Sequence, residues 1–417
     1  MKDSGKGKVS LGLVLCFFLT LPLLLPSSGF CQDDYVFVLK WGSYGNGDGR
    51  FNEPRGVAVD LEGNVYVADR KNNRVQKFAS DGVFIKKWGI LGSGDGQFYL
   101  PLDVAVDSEG NVYVADFSNN RVQKFTSDGI FITKWGTPGS GDGQFMGLAS
   151  VAVDSENNVY TSETVCHRIQ KFTSDGIFIT KWGTPGPGDG QFYLPYGIAV
   201  DSYGNVYVAD TFNYRVQKFT SSGILIAKWG TLGYEDGQFS YPYGIAVDSR
   251  DNVFVADWGS HKIQKFGPDG NFITKWGTLG YEDGQFYGPQ GIAADSTGNI
   301  YVSEALINRI QKFAPDITAI DIPAILAFFD ESIENGTLMG SGPGNSWQHR
   351  MKALRNMLES AGELIEDGFI SEACQQLLDA HNRCDGQPKP PDFVEGEAAP
   401  LLAGMIQTYR ANLGCNQ

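Results

Sequence analysis

The amino-acid sequence predicts an all-β six-bladed β-propeller, four antiparallel strands to a blade, followed by a small all-α helical domain. Three observations predict it. One unit repeats without a gap: Trp41, Trp88, Trp135, Trp182, Trp229 and Trp276 are spaced by 47 residues, and Asp60 and Phe78 open series with the same step. Each unit holds four short β-rich runs, such as YGIAVD, NVYVAD, YRVQKF and ILIAKWG between Tyr196 and Gly230, and four short strands per repeat make a propeller blade. The last unit ends at NRIQKF (Asn308–Phe313), while an orphan YVFVLKWG (Tyr35–Gly42) precedes the first. Setting one beside the other completes six blades and removes two open edges.

Taken from the N-terminus, the chain divides into a signal peptide (1–31), the propeller (32–315) and a C-terminal four-helix domain (316–417). Lys2, Lys6 and Lys8 precede the apolar run Leu11–Leu25, and PSSG follows as a cleavage region. That run is short for a membrane span, so the mature chain is expected to be secreted or cell-surface associated, with no membrane span. Export permits disulfides, and one bridge is expected among Cys374, Cys384 and Cys415, the pair being left open. The net charge of −15 and pI near 4.7 argue against nucleic acid as partner.

Between blades stands a glycine-rich stretch, GSGDGQF or a close variant, written six times from Gly45 onward. Phosphate loops need a helix behind their glycines, and calcium loops need several oxygen ligands; a strand and a single recurring carboxylate stand here. These are joints, with glycine for the turn, the Asp capping it and the Phe as a buried anchor. Asp60 and its equivalents form Asx turns. Asp69 with Arg74, Asp116 with Arg121 and Asp210 with Arg215 read as ion pairs within a blade, and the Trp series as packing between blades. A residue present in every blade serves the blade.

The series P-x-G-I/V-A-V-D, x-G-N-V-Y-V-A-D, N-x-R-I/V-Q-K-F and K-W-G resembles the NHL repeat, over roughly Tyr35 to Phe313. The resemblance implies a six-bladed propeller used as a recognition scaffold. Among such relatives are lyases, extracellular sensor domains of kinases and RNA-binding modules; export and acidity weigh against the last.

Function is expected where the copies disagree. At the start of the inner strand stand Arg55, Leu102, Ala149, Tyr196, Tyr243 and Gln290, and the next position is Gly except at Asp103 and Ser150. The loop between second and third strands adds Phe117, Phe212, Tyr214 and Trp258. Arg55, Asp103, Phe117, Tyr196, Phe212, Tyr214, Tyr243, Trp258 and Gln290 are therefore the expected binding residues, since aromatics and Arg accumulate at recognition surfaces. Blades three and six replace Ala-Asp by Ser162-Glu163 and Ser303-Glu304, and in a ring of six they face each other. Glu163, Glu304, His167 and His261 are the candidate metal ligands. The resemblance implies for them a weak version of a lyase's histidine set or a lactonase's calcium site.

After Phe313 the pattern turns helical, with Met351, Leu354, Leu358, Ala361 and Ile365 on one face. Ser346 and Ser371 read as N-caps. GTLMGSGPGNSW followed by ACQQL resembles the FIMAH-type helical domain, which implies export but no chemistry. The expected function is that of a secreted, non-catalytic recognition protein with no cofactor, binding an extracellular protein, peptide or glycan through the connector face. The alternative is a metal-assisted lyase or lactonase centred on blade three.

Overall fold

The computed structural model describes residues 35–316, 322–340, 346–366, 370–383, 394–395, 398–412 and 415; the expected signal peptide and Cys384 lie outside them. Among these residues six four-stranded antiparallel sheets form the propeller. Blade four is typical: Ile198–Val200 is innermost, then Val206–Asp210, Arg215–Phe219 and Leu225–Trp229. The second strand is buried at all five positions, VYVAD, because blades cover it on both faces. The outermost strand alternates half-buried and exposed, as an edge does.

Blade six is built from both ends of the repeat array. Tyr35–Trp41 pairs antiparallel with Arg309–Pro315, Tyr35 opposite Pro315 and Trp41 opposite Ile310. The latch adds side chains as well as backbone. Tyr35 stacks on Trp276 of blade five with ring centroids 4.5 Å apart, and Trp41 packs on Tyr301 of its own blade and Phe78 of blade one.

The core lies between blades. Tyr113, Ala115 and Val122 of blade two pack with Phe145, Val151, Val159 and Phe172 of blade three, and five similar clusters repeat around the ring. Each Trp bridges two blades, as Trp88 does between Tyr66 and Phe125. In each joint the Phe is fully buried. Gly89, at φ +99°, shows why glycine stands before the joint: a Cβ there would meet the Phe98 ring at 2.4 Å.

The joint aspartates differ from expectation. Rather than capping their turns they reach the Lys of a KWG strand, as Asp95 does Lys134 (2.5 Å) and Asp283 does Lys40 of the latch (2.5 Å). Those are exposed pairs of small energetic weight. In blades two to six the turn is held by Gln instead, as Gln97 Oε1 accepts from Gly94 N at 2.9 Å and Gln238 Oε1 from Glu235 N at 3.2 Å. The Asx turns form as expected, Asp60 Oδ1 accepting from Asn64 N at 2.8 Å.

The C-terminal region contains α1 (Ile322–Glu334), α2 (Ser346–Glu366), α3 (Ile370–His381) and α4 (Ala399–Asn412). Ser346 opens α2, while α3 begins one residue before Ser371. Leu354, Leu358 and Ala361 are fully buried, so the apolar stripe read from spacing is the packed face. Cys374 is bridged to Cys415 across 5.5 Å between Cα atoms. No helix among the described residues is long and apolar enough to cross a membrane.

Candidate functional site

The inner strands begin around the propeller axis, and their first two positions converge. Arg55, Asp103, Ser150, Tyr196, Tyr243 and Gln290 line one cavity of about 370 Å³ with Leu102, Ala149 and four glycines. A wider channel of about 760 Å³ continues from it between the inner strands.

Close backbone approach explains the glycines. A Cβ at Gly244 would lie 2.1 Å from Gln290 O, and one at Gly291 2.1 Å from Arg55 O. Blades two and three carry side chains here, so the ring is closed by different bonds. Asp103 accepts from the Ser150 hydroxyl and from Val151 N (3.1 Å), and Ser150 Oγ faces Ile198 N at 3.4 Å.

Burial pushes the Asp103 carboxyl up to about 6 from 3.8, against the pull of Ser150 and the N–H groups of Val151 and Val104. A folded-state value above the unfolded one means that Asp103 supports folding fully below about pH 4. That support is lost as pH rises through about 6. Asp103→Asn is therefore expected to raise stability near neutral pH by at most about 3 kcal/mol and to flatten the pH slope between these values. Urea midpoints across that range check it; an unchanged slope refutes the assignment.

Arg55 is enclosed by the mouth. Burial, then Arg70, lowers its guanidinium below the usual value, while the phenols of Tyr243 and Tyr196 and the Glu53 carboxylate act the other way. Its Nε and the Oε1 of Gln290, itself 8% exposed, are buried without a hydrogen-bond partner. Tyr196 and Tyr243 lie with ring centroids 4.4 Å apart. From Tyr243 an arc of rings continues through Trp258, Tyr241, Phe212 and Tyr193, each step 5.3 to 6.1 Å, with Tyr214 5.7 Å from Tyr241. Phe117 occupies the corresponding turn of blade two, outside this chain of contacts. Tyr193 and Tyr241 were missed by sequence reasoning; their signal was an aromatic just after the joint Phe.

Glu163 and Glu304 line neither the cavity nor the channel. Each is fully buried inside its own blade. Glu163 pairs with Arg168 (2.6 Å) and accepts from Met146 N (3.0 Å); Glu304 pairs with Arg309 (2.5 Å) and accepts from Tyr287 N (2.7 Å). They replace Asp69 and Asp116, which hold Arg74 and Arg121 in the same way. What matters in these blades is the serine. Ser162 donates to Tyr196 O and Ser303 to Arg55 O, which anchors two residues of the mouth.

His167 and His261 are corrected likewise. They sit at left-handed positions, φ 52° and 57°, where other blades have Asn73 and Asn308. Asn73 Oδ1 accepts from Leu100 N at 2.9 Å, and His167 Nδ1 accepts from Leu194 N at 3.0 Å; His261 Nδ1 does so from Gly288 N at 3.1 Å. Burial lowers both imidazoles below their usual range, which suits neutral acceptors. With the carboxylates committed to arginines, these four residues do not fit a shared metal ion. No group of three His, Cys, Asp or Glu among the described residues is placed to hold one.

The NHL repeat model matches residues 51–78, 98–125, 192–219 and 239–266. Those fall in blades one, two, four and five; the two blades with Ser-Glu are outside the match. Protein lin-41 of Caenorhabditis elegans is 53% identical over 45 residues, 11% of this chain and 4% of that one. Protein brain tumor of Drosophila melanogaster is 37% identical over 57 residues, 14% and 6%. The chain thus matches only a small fraction of these relatives' length. A Bacteroides thetaiotaomicron protein of unknown function superposes with TM-score 0.52 at 21% identity, over 67% of this chain and 75% of that one, which supports the fold. Virginiamycin B lyase from Staphylococcus aureus superposes at 0.48 and 14% identity, over 67% and 99%.

Proposed function

Because the chain carries NHL repeats folded as a six-bladed propeller, a frame that fits a binding scaffold, we propose that it is an exported, non-catalytic recognition protein. Its ligand, an extracellular protein, peptide or glycan, is held at the channel mouth and the aromatic arc beside it. One observation carries this reading. Most of the residues that differ between blades meet at one cavity and a continuous run of rings, whereas residues common to all blades are packed or bonded within the ring. Large aromatics with an Arg are the usual anchors of recognition surfaces. Export is supported by the basic and apolar N-terminal pattern and by the Cys374–Cys415 bridge, a bond that persists in oxidising compartments.

The metal-assisted alternative, centred on blade three, has less support, since Glu163 of that blade serves Arg168 and Glu304 of blade six serves Arg309. The test is binding of the mature chain to glycan and peptide arrays, repeated with Tyr243→Ala and Trp258→Ala. Loss of about 2 kcal/mol or more per variant, a hot-spot effect, is expected for whatever binds. Binding that survives both substitutions, or none at all, overturns the proposal.

A further inference from the structure

We propose that the channel mouth takes a carboxylate-bearing sugar residue, its carboxylate on Arg55 and its hydroxyls on Gln290 Oε1 and the Tyr196 and Tyr243 phenols. The inference rests on the recognition reading and narrows it to one ligand chemistry.

Charge comes first. The chain is acidic overall, yet blade one gathers Arg55, Arg70 and Lys71 around Glu53. That carboxylate is occupied, pairing with Arg70 and Lys71 at 2.5 Å each. Asp103, the other acid of the mouth, is spent on Ser150 and Val151. Arg55 thus faces the cavity with no carboxylate of its own among the described residues. A planar guanidinium matches a carboxylate with two parallel hydrogen bonds.

Hydrogen bonding comes second. Gln290 Oε1 is a buried acceptor without a donor, and buried polar atoms are met by a partner in nearly every fold. Because Gln290 lines the cavity with Arg55, a ligand held by Arg55 can offer that oxygen an O–H or N–H.

Shape decides between sources of such a carboxylate. A peptide that binds by adding a strand needs a free edge, and here the backbone at the mouth is already used. Gly56 N donates to Leu102 O and Gly197 N to Tyr243 O, both at 2.9 Å, while Ser303 and Ser162 bond Arg55 O and Tyr196 O. Recognition falls to side chains alone. Tyr196 and Tyr243 line the cavity beside Arg55 and Gln290, so a small polar ligand there meets phenols and ring edges together with the guanidinium.

The test is calorimetric titration of the full mature chain with glucuronic acid, glucose and N-acetylalanine, at low and high salt. Glucuronic acid is expected to bind about tenfold or more tighter than glucose, a difference of about 1.4 kcal/mol, and to weaken with salt. Arg55→Gln removes the preference and Gln290→Leu weakens binding several-fold. Unchanged thermal unfolding shows that both variants are folded. Equal affinity for glucuronic acid and glucose, or no effect of Arg55→Gln, overturns the inference. Tighter binding of N-acetylalanine overturns it in favour of a peptide C-terminus. If array binding is lost in Trp258→Ala but indifferent to Arg55→Gln, recognition at this face stands and only the acidic-sugar assignment falls.

Discussion

Removal of residues 35–41 is expected to leave a chain that no longer unfolds in one cooperative transition and that self-associates. The strand supplies the outer edge of blade six, and without it Arg309–Pro315 presents an open ladder to other chains. Tyr35, Phe37 and Trp41 leave with it, and with them the contacts to Trp276, Phe313, Tyr301 and Phe78. At about 3 kcal/mol for each aromatic, the loss is comparable with the whole margin of about 5–15 kcal/mol that holds a domain folded. A companion variant separates loss of the strand from damage to the chain. Tyr35 lies opposite Pro315, so the same segment moved behind Pro315 through a four-residue turn can re-form the sheet as a hairpin. Size-exclusion and thermal unfolding are the measurements. A deletion variant that stays monomeric with an unchanged Tm would refute the latch.

Asp210→Ala in blade four is expected to cost about 3–5 kcal/mol, the cost of leaving a buried charge unpaired. Arg215 is almost wholly buried and pairs with Asp210 at 2.7 Å. The same guanidinium donates to the carbonyls of Pro187, Gly188 and Gln191 in the joint. Asp210 also accepts from Tyr193 N and from Asn213 and Gln217 side chains. One carboxylate therefore holds the loop, the third strand and the connector that leads to the mouth. Asp210→Glu, which copies the carboxylate that blades three and six already carry, is expected to recover most of the loss. Denaturant midpoints of the two variants check this; equal loss in both would show that the site demands Asp rather than an Arg-paired carboxylate.

The strand–turn repeat, the six units and the closure by the N-terminal strand are legible in the sequence. Each follows from short-range pattern and from the need to pair strand edges, which is arithmetic on repeats. The in-blade ion pairs were legible for the same reason, as Asp69 and Arg74 are five residues apart across one turn. That Arg55, Tyr196, Tyr243 and Gln290 lie on one face followed from alignment by 47; that they line one cavity is read from the structure.

Only the tertiary structure decided what crosses from blade to blade. Five of the joint aspartates find lysines 39 residues on, and Asp283 finds Lys40 of the latch; Tyr241 joins Phe212 and Trp258 into one arc; Ser162 and Ser303, overlooked beside their glutamates, hold the backbone of Tyr196 and Arg55. His167 and His261 stand where blades one and six use Asn, because a backbone N–H of the next connector needs an acceptor. Local sequence states which residue types are present and in what period. Whether a given acid, imidazole or hydroxyl is free for a ligand depends on partners brought close by ring closure, and that is a property of the folded whole.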